Sequence, residues 1–158
     1  MSHCVLFVCT GNVCRSPMAA GLFNAHARRA GEDHIYVARS TGTWALEDQP
    51  ASDHAITTMA ERGIALTAHR GQTITRELID QAAVLIVMTR SHRDALASEF
   101  PGTRSKIRLL SELIDRTFDI ADPYGGTLAE YQDCAASLEK LIDSGYERIK
   151  MWISNNAR

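Results

Sequence analysis

Seven consecutive apolar residues, Ala82 to Met88, constrain this chain more than any other segment. The run is far short of the ~20 residues a membrane span needs. Its length and its Val, Leu and Ile suit a strand, and a strand apolar at every position must be covered on both faces. Such strands belong to parallel sheets enclosed by helices. The rest of the chain supplies the partners. Val5 to Cys9 is a second apolar run bounded by Gly11, and Ile35 to Ser40 and Ile107 to Leu110 bring the expected strands to four.

Helical segments alternate with these strands. One opens at Ser16-Pro17, with Ser16 as N-cap and Pro17 at the first helical position, and closes at Gly31. Met18, Leu22, His26 and Arg29 recur along it every three or four residues. Ser52 to Arg62 (before Gly63), Thr75 to Gln81, and Ser91 to Glu99 (before Pro101-Gly102) are further helices. The last helix begins with capping-box spacing, Thr127 to Glu130. Leu128, Tyr131, Ala135, Leu138, Ile142, Ile149 and Trp152 then follow near the helical period. Gly145 inside it costs up to ~1 kcal/mol relative to Ala.

This alternation implies an α/β, three-layer sandwich: a four-stranded parallel sheet flanked by helices, forming one domain over residues 1–158. In open α/β sheets ligands bind beyond the carboxyl ends of the strands, so chemistry is expected after Cys9, Ser40, Thr89 and Ser111.

Composition narrows the function classes. With 17 basic and 19 acidic residues the formal charge is −2, which gives no reason to expect nucleic acid or an anionic membrane as partner. Three of the four cysteines, Cys4, Cys9 and Cys14, crowd into the first fourteen residues. The apolar stretch there lacks the basic flank and small-residue cleavage site of a secretory signal. A reducing, cytoplasmic setting is therefore expected, with reactive or buried thiols rather than a disulfide framework. The cysteine spacing does not match zinc sites, and the six histidines form no HExxH pattern, so no metal or cofactor is expected.

The end of the first strand reads Cys9-Thr10-Gly11-Asn12-Val13-Cys14-Arg15-Ser16-Pro17. A seven-residue turn between a buried strand and a helix N-terminus can curl until its backbone N–H groups converge on one anion. The helix start adds about half a positive charge. Gly11 and Asn12 tolerate the left-handed conformations the curl needs. Arg15 offers a planar fork for two phosphate oxygens. The same field favours a thiolate at Cys9, able to attack phosphorus, and Ser16 can donate a hydroxyl to it. The alternative is a cysteine acting as a small hydrophobe and a solvated arginine.

Asp122-Pro123-Tyr124-Gly125-Gly126 supplies a carboxyl group on a proline-stiffened loop. One carboxyl can protonate a leaving atom and later deprotonate a water. Asp119 is a nearby decoy without the proline. Tyr124 forms a wall for the leaving group or half-buries at a loop.

The stretch CTGNVCRSP with Met18-Ala19 behind it, followed by the Asp122-Pro123-Tyr124-Gly125-Gly126 motif, resembles the low-molecular-weight protein tyrosine phosphatase family over essentially the whole chain. The resemblance implies Cys9 as nucleophile, Arg15 as phosphate clamp and Asp122 as general acid. It implies a phosphate loop of Thr10, Gly11, Asn12, Val13, Cys14 and Ser16, with Asn12 and Ser16 organising it and His69 supporting it. It implies a phosphorylated protein or peptide as substrate and inorganic phosphate as product.

Two branches of the family compete. Val13 has an aliphatic side chain, as in the phosphotyrosine branch, where the phosphoarginine branch carries threonine. Thr89-Arg90-Ser91-His92 resembles the phosphoarginine branch. Trp44 is an aromatic wall or ordinary packing. Arsenate reductases share the loop but need relay cysteines that this chain lacks between Cys14 and Cys134. A non-catalytic phosphoprotein-binding module would be expected to have lost the nucleophile or the acid. Cys9 and Cys14 lie close enough along the chain to raise a redox-sensitive disulfide, against Cys14 as simple packing.

Overall fold

The computed structural model describes residues 1–157. Four strands, β1 (His3–Cys9), β2 (Tyr36–Gly42), β3 (Ala82–Val87) and β4 (Ile107–Leu109), form one parallel sheet in the order β2-β1-β3-β4. The helices are α1 (Arg15–Arg29), α2 (Asp53–Ala60), α3 (Arg76–Gln81), α4 (Arg90–Glu99) and α5 (Leu128–Asn156).

The period-2 alternation of β1 divides the core. Val5, Phe7 and Cys9 pack with Met18, Phe23, Leu138 and Ile142 on the side of α1 and α5. Leu6 and Val8 face Ile79 and Leu96, from α3 and α4. The sheet is thus enclosed by helices on both faces, which is why Val84 to Met88 are all 0% exposed. Strand order reverses direction at β1, and such a switch point opens a crevice at the carboxyl ends. The loop after Cys9 occupies that crevice.

Several boundaries differ from the sequence expectation, and each has a cause. Helix α1 starts at Arg15 with Cys14 as N-cap, so Ser16 is not the cap. Pro17 is the third helical residue, not the first, and is tolerated there because the N–H groups of the first turn have no intrahelical partner anyway. The buried side of α1 is Met18, Ala19, Leu22, Phe23 and Ala27; His26 is half-buried and Arg29 exposed. β2 starts at Tyr36 and runs on to Gly42, paired residue for residue with β1. A Cβ at Gly42 would collide with the Thr10 carbonyl, so glycine lets β2 pass under the loop. α2 stops at Ala60, and Gly63 follows in the left-handed region at φ 72°. α4 begins at Arg90, one residue earlier than expected, capped by Thr89.

Thr127 caps α5 by accepting from the Glu130 N–H, as its spacing suggested. Gly145 has a packing reason: a Cβ there would lie 2.6 Å from Leu113 Cβ. The close approach of α5 to the Leu110–Ile114 turn offsets the helix-propensity cost of glycine. No helix among the described residues is long and apolar enough to cross a membrane.

Candidate active site

The loop from Cys9 to Ser16 gives its carbonyls to the segments around it and leaves its N–H groups from Gly11 onward without backbone partners. Cys9 O accepts from Thr43 N at 2.8 Å, Thr10 O from Trp44 N at 3.1 Å, Gly11 O from Leu46 N at 3.0 Å and Val13 O from Ser52 N at 2.9 Å. Among the described residues, no backbone N–H from Gly11 to Ser16 donates to a backbone carbonyl. Donors left free around one point, at a helix N-terminus, make an anion nest.

Asn12 is the keystone of this curl. Its φ is +59°, while Gly11 stays outside the left-handed region, so asparagine alone carries that conformation. The side chain explains why. Asn12 Nδ2 donates to Ser16 Oγ at 2.8 Å and to Ser40 Oγ at 3.0 Å, and Oδ1 accepts from Gln72 N at 2.9 Å. His69 Nε2 donates to the Asn12 carbonyl at 2.6 Å. Burial lowers the His69 pKa, with the Asn12 contact working the other way. Asn12 is wholly buried, and every polar atom of its side chain is partnered.

Cys9 sits at the floor, with Sγ 2.9 Å from Ser16 Oγ. Freed from capping, the Ser16 hydroxyl also reaches the Thr41 carbonyl at 3.2 Å. Cys14 points the other way. Its Sγ lies 3.1 Å from Tyr131 Oη of α5 and 3.3 Å from Ser52 Oγ, and burial raises its pKa.

Arg15 is 4% exposed. Its Nη1 donates to Ile120 O at 2.9 Å and its Nη2 faces Asp122 Oδ2 at 3.4 Å. Its Nε is buried with no protein partner. A buried guanidinium with an unused donor is a ready-made anion clamp. The Asp122 loop is held from below by Ile120 N donating to Met88 O at 2.9 Å. Tyr124 N donates to Asp122 Oδ1 at 3.1 Å, an Asx turn that orients the carboxylate. Asp119 is engaged elsewhere, bonded by Arg90 through N at 2.9 Å and Nε at 3.1 Å.

These parts enclose a cavity of about 240 Å3 lined by Cys9 through Arg15, Trp44, Leu46, Asp122 and Tyr124. All the loop residues expected at the site therefore line it except Ser16, which lies beneath. His69 stands behind the loop. Trp44 lines the mouth and is 82% exposed, so it is a wall and not packing. Leu46, Ser40, Gln72 and Tyr131 were not anticipated; their contacts to the loop span 28 to 117 residues and leave no local mark. Among the described residues no three His, Cys, Asp or Glu side chains converge as a metal site.

Comparison with known proteins agrees with this geometry. A family model described as low molecular weight phosphotyrosine protein phosphatase matches residues 4–152. The chain therefore belongs to that family of phosphoric monoester hydrolases. A protein-arginine-phosphatase of Geobacillus stearothermophilus is 38% identical over 151 residues, covering 95% of this chain and 98% of that one. The crystal structure of a low molecular weight protein tyrosine phosphatase from T. tengcongensis aligns with TM-score 0.88 and 40% identity, covering 93% of this chain and 99% of the other. An arginine phosphatase solved as a Cys-to-Ser mutant with a phosphorylated active site serine aligns with TM-score 0.88 and 35% identity, over 93% and 95% of the two chains.

Proposed function

We propose that this protein hydrolyses phosphotyrosine in proteins or peptides through a cysteinyl-phosphate. The observation that carries the covalent step is Cys9 at the start of a loop whose Gly11 to Ser16 N–H groups have no backbone partner, beside buried Arg15. The phosphorylated serine of the related mutant supports it, because a hydroxyl there takes the phosphoryl group and holds it.

In this mechanism the Cys9 thiolate attacks phosphorus in line, and the bond to the leaving oxygen breaks. Asp122 gives that oxygen its proton. Arg15 and the N–H groups of Gly11 to Ser16 hold the three equatorial oxygens, whose charge they complement in the transition state. Asp122, now a carboxylate, takes a proton from water; the hydroxide attacks phosphorus and the Cys9 thiolate leaves. The Ser16 hydroxyl, 2.9 Å from Cys9 Sγ, can turn from the Thr41 carbonyl to donate to the departing sulfur. Inorganic phosphate is released.

Substrate choice rests on the walls. Val13, Leu46, Trp44 and Tyr124 give the cavity apolar and aromatic sides suited to an aryl ring. A second reading is phosphoarginine. It is supported by the relative named a protein-arginine-phosphatase and by the Thr89–His92 turn. A side-by-side assay on phosphotyrosine and phosphoarginine peptides separates the two. The expected result is a higher kcat/KM on phosphotyrosine, and a Val13→Thr variant shifted toward phosphoarginine by about 2- to 100-fold, the range of one hydrogen bond. An unmodified protein that prefers phosphoarginine by about tenfold or more overturns the first reading and means that Val13 is not the determinant.

A further inference from the structure

Outside the expected machinery, a buried histidine touches the phosphate loop at the residue that follows the nucleophile. His92 is 5% exposed and belongs to the first turn of α4. Its two ring nitrogens have different partners. Nδ1 accepts from the Thr89 N–H at 3.2 Å, closing a reciprocal cap in which Thr89 Oγ1 accepts from His92 N at 3.1 Å. An Nδ1 that accepts a hydrogen bond carries no proton, so the ring proton is on Nε2. Nε2 lies 2.8 Å from Thr10 Oγ1 and therefore donates to it. Burial first, and the Arg15 guanidinium second, push the His92 pKa down to about 4, in keeping with a neutral ring of this single tautomer.

The consequence falls on Thr10. Its oxygen receives His92 Nε2–H and faces a second donor, Arg15 Nη2, at 3.5 Å. Neither group can accept a proton in return. The threonine hydroxyl is thereby left with its own proton directed away from both, and the open side of Thr10 is the cavity it lines. A hydroxyl free to turn would spend its proton on any neighbour; one held at its lone pairs is a preorganised donor.

We propose that Thr10 donates its hydroxyl proton to an oxygen of the bound phosphoryl group, and that His92 is the positioning residue that holds it in that role. The inference rests on the phosphatase reading of the site and adds a side-chain donor to the backbone nest. It gives the phosphate loop a side-chain hydroxyl donor in the cavity that Thr10 lines. It also assigns a purpose to a histidine where a cap alone would be served by a shorter polar side chain.

Two substitutions separate the cap from the reach. His92→Asn keeps an acceptor for the Thr89 N–H but is too short to meet Thr10. His92→Gln extends a donor to about the distance of Nε2. Inorganic phosphate binding, measured by calorimetric titration at neutral pH, reads the donor directly and needs no turnover. Thr10→Val is expected to weaken phosphate by about 5- to 50-fold, as for a hydrogen bond to a charged acceptor, and Thr10→Ser to restore most of it. His92→Asn should weaken it by about 3- to 10-fold and His92→Gln by less. The double variant Thr10→Val, His92→Asn should bind no worse than Thr10→Val, because one interaction has been removed twice. Thermal midpoints of all variants provide the folding control. Unchanged phosphate affinity in Thr10→Val, or losses that multiply in the double variant, would overturn the inference. A wild type that binds phosphate with this pattern but turns over no phosphopeptide would instead sink the phosphatase reading.

Discussion

Arg15 Nη2 and Asp122 Oδ2 stand 3.4 Å apart, a buried guanidinium facing a half-exposed carboxylate. The pair joins the two motifs that are farthest apart in the sequence, and Arg15 Nη1 adds a bond to Ile120 O in the same loop. The clamp thus holds the loop that carries the acid. An arriving phosphoryl dianion engages Arg15 and sets negative charge beside Asp122. The same arginine therefore brings the phosphoryl group beside the carboxyl that is to serve its leaving oxygen.

Asp122→Asn should lower kcat by about 10²- to 10⁴-fold on substrates with poor leaving groups. The loss should shrink on activated aryl phosphates, whose leaving oxygens need less protonation. Asp119→Asn should leave the leaving-group dependence unaltered, because Asp119 is bonded to Arg90 away from the cavity. Steady-state rates over a series of aryl phosphates check this. A loss independent of leaving group, or larger in Asp119→Asn, contradicts the assignment.

Cys9 and Cys14 differ in surroundings although they share one loop. Cys14 is held by Tyr131 and Ser52 and its pKa is raised by burial, so it is the thiol to survive peroxide. Peroxide should oxidise Cys9 sulfur to a sulfenic acid, and attack by Cys14 sulfur would then form a disulfide and release water. Mass spectrometry after mild peroxide should show the loop peptide lighter by two hydrogens and restored by thiol. In Cys14→Ser, Cys9 should pass on to sulfinic acid. Sulfinic acid at Cys9 in the unmodified protein, with Cys14 free, contradicts the protective bond.

Stability should fall in acid through the buried histidines. The folded pKa of His92 is about 4 against an ordinary 6.5, and that of His69 is lowered by burial in the same sense. A depressed folded pKa means the unfolded chain binds the proton more readily. The contribution is therefore fully present above about pH 6.5 and lost as pH falls toward about 4. Arg15 opposes His92 protonation, while Asp122 and Asp119 favour it. Thermal midpoints measured across this window should drop for the wild type and drop less for His92→Asn. Identical slopes contradict a neutral, buried His92.

What the sequence made legible follows from range. The apolar run Ala82–Met88 and the Thr127 cap are local signals, and both elements formed where those signals lie. The loop was legible because one short segment carries nucleophile, clamp and helix start. Ser16 was misplaced as a cap because its competing partners, Cys9 Sγ and Asn12 Nδ2, exist only once the loop has curled. Gly42 and Gly145 gave no sign of their roles, since each accommodates a segment distant in the chain. The same holds for His92, whose contact to Thr10 crosses 82 residues.

The central claim is that Cys9 sulfur takes the phosphoryl group. Turnover of p-nitrophenyl phosphate by Cys9→Ser, with phosphate affinity measured on the same sample, tests it most directly. The account predicts a rate below about one per cent of wild type, with phosphate still bound by Arg15 and the loop N–H groups, since losing the nucleophile costs several orders of magnitude. Turnover well above that level, in a variant that binds phosphate normally, would contradict it.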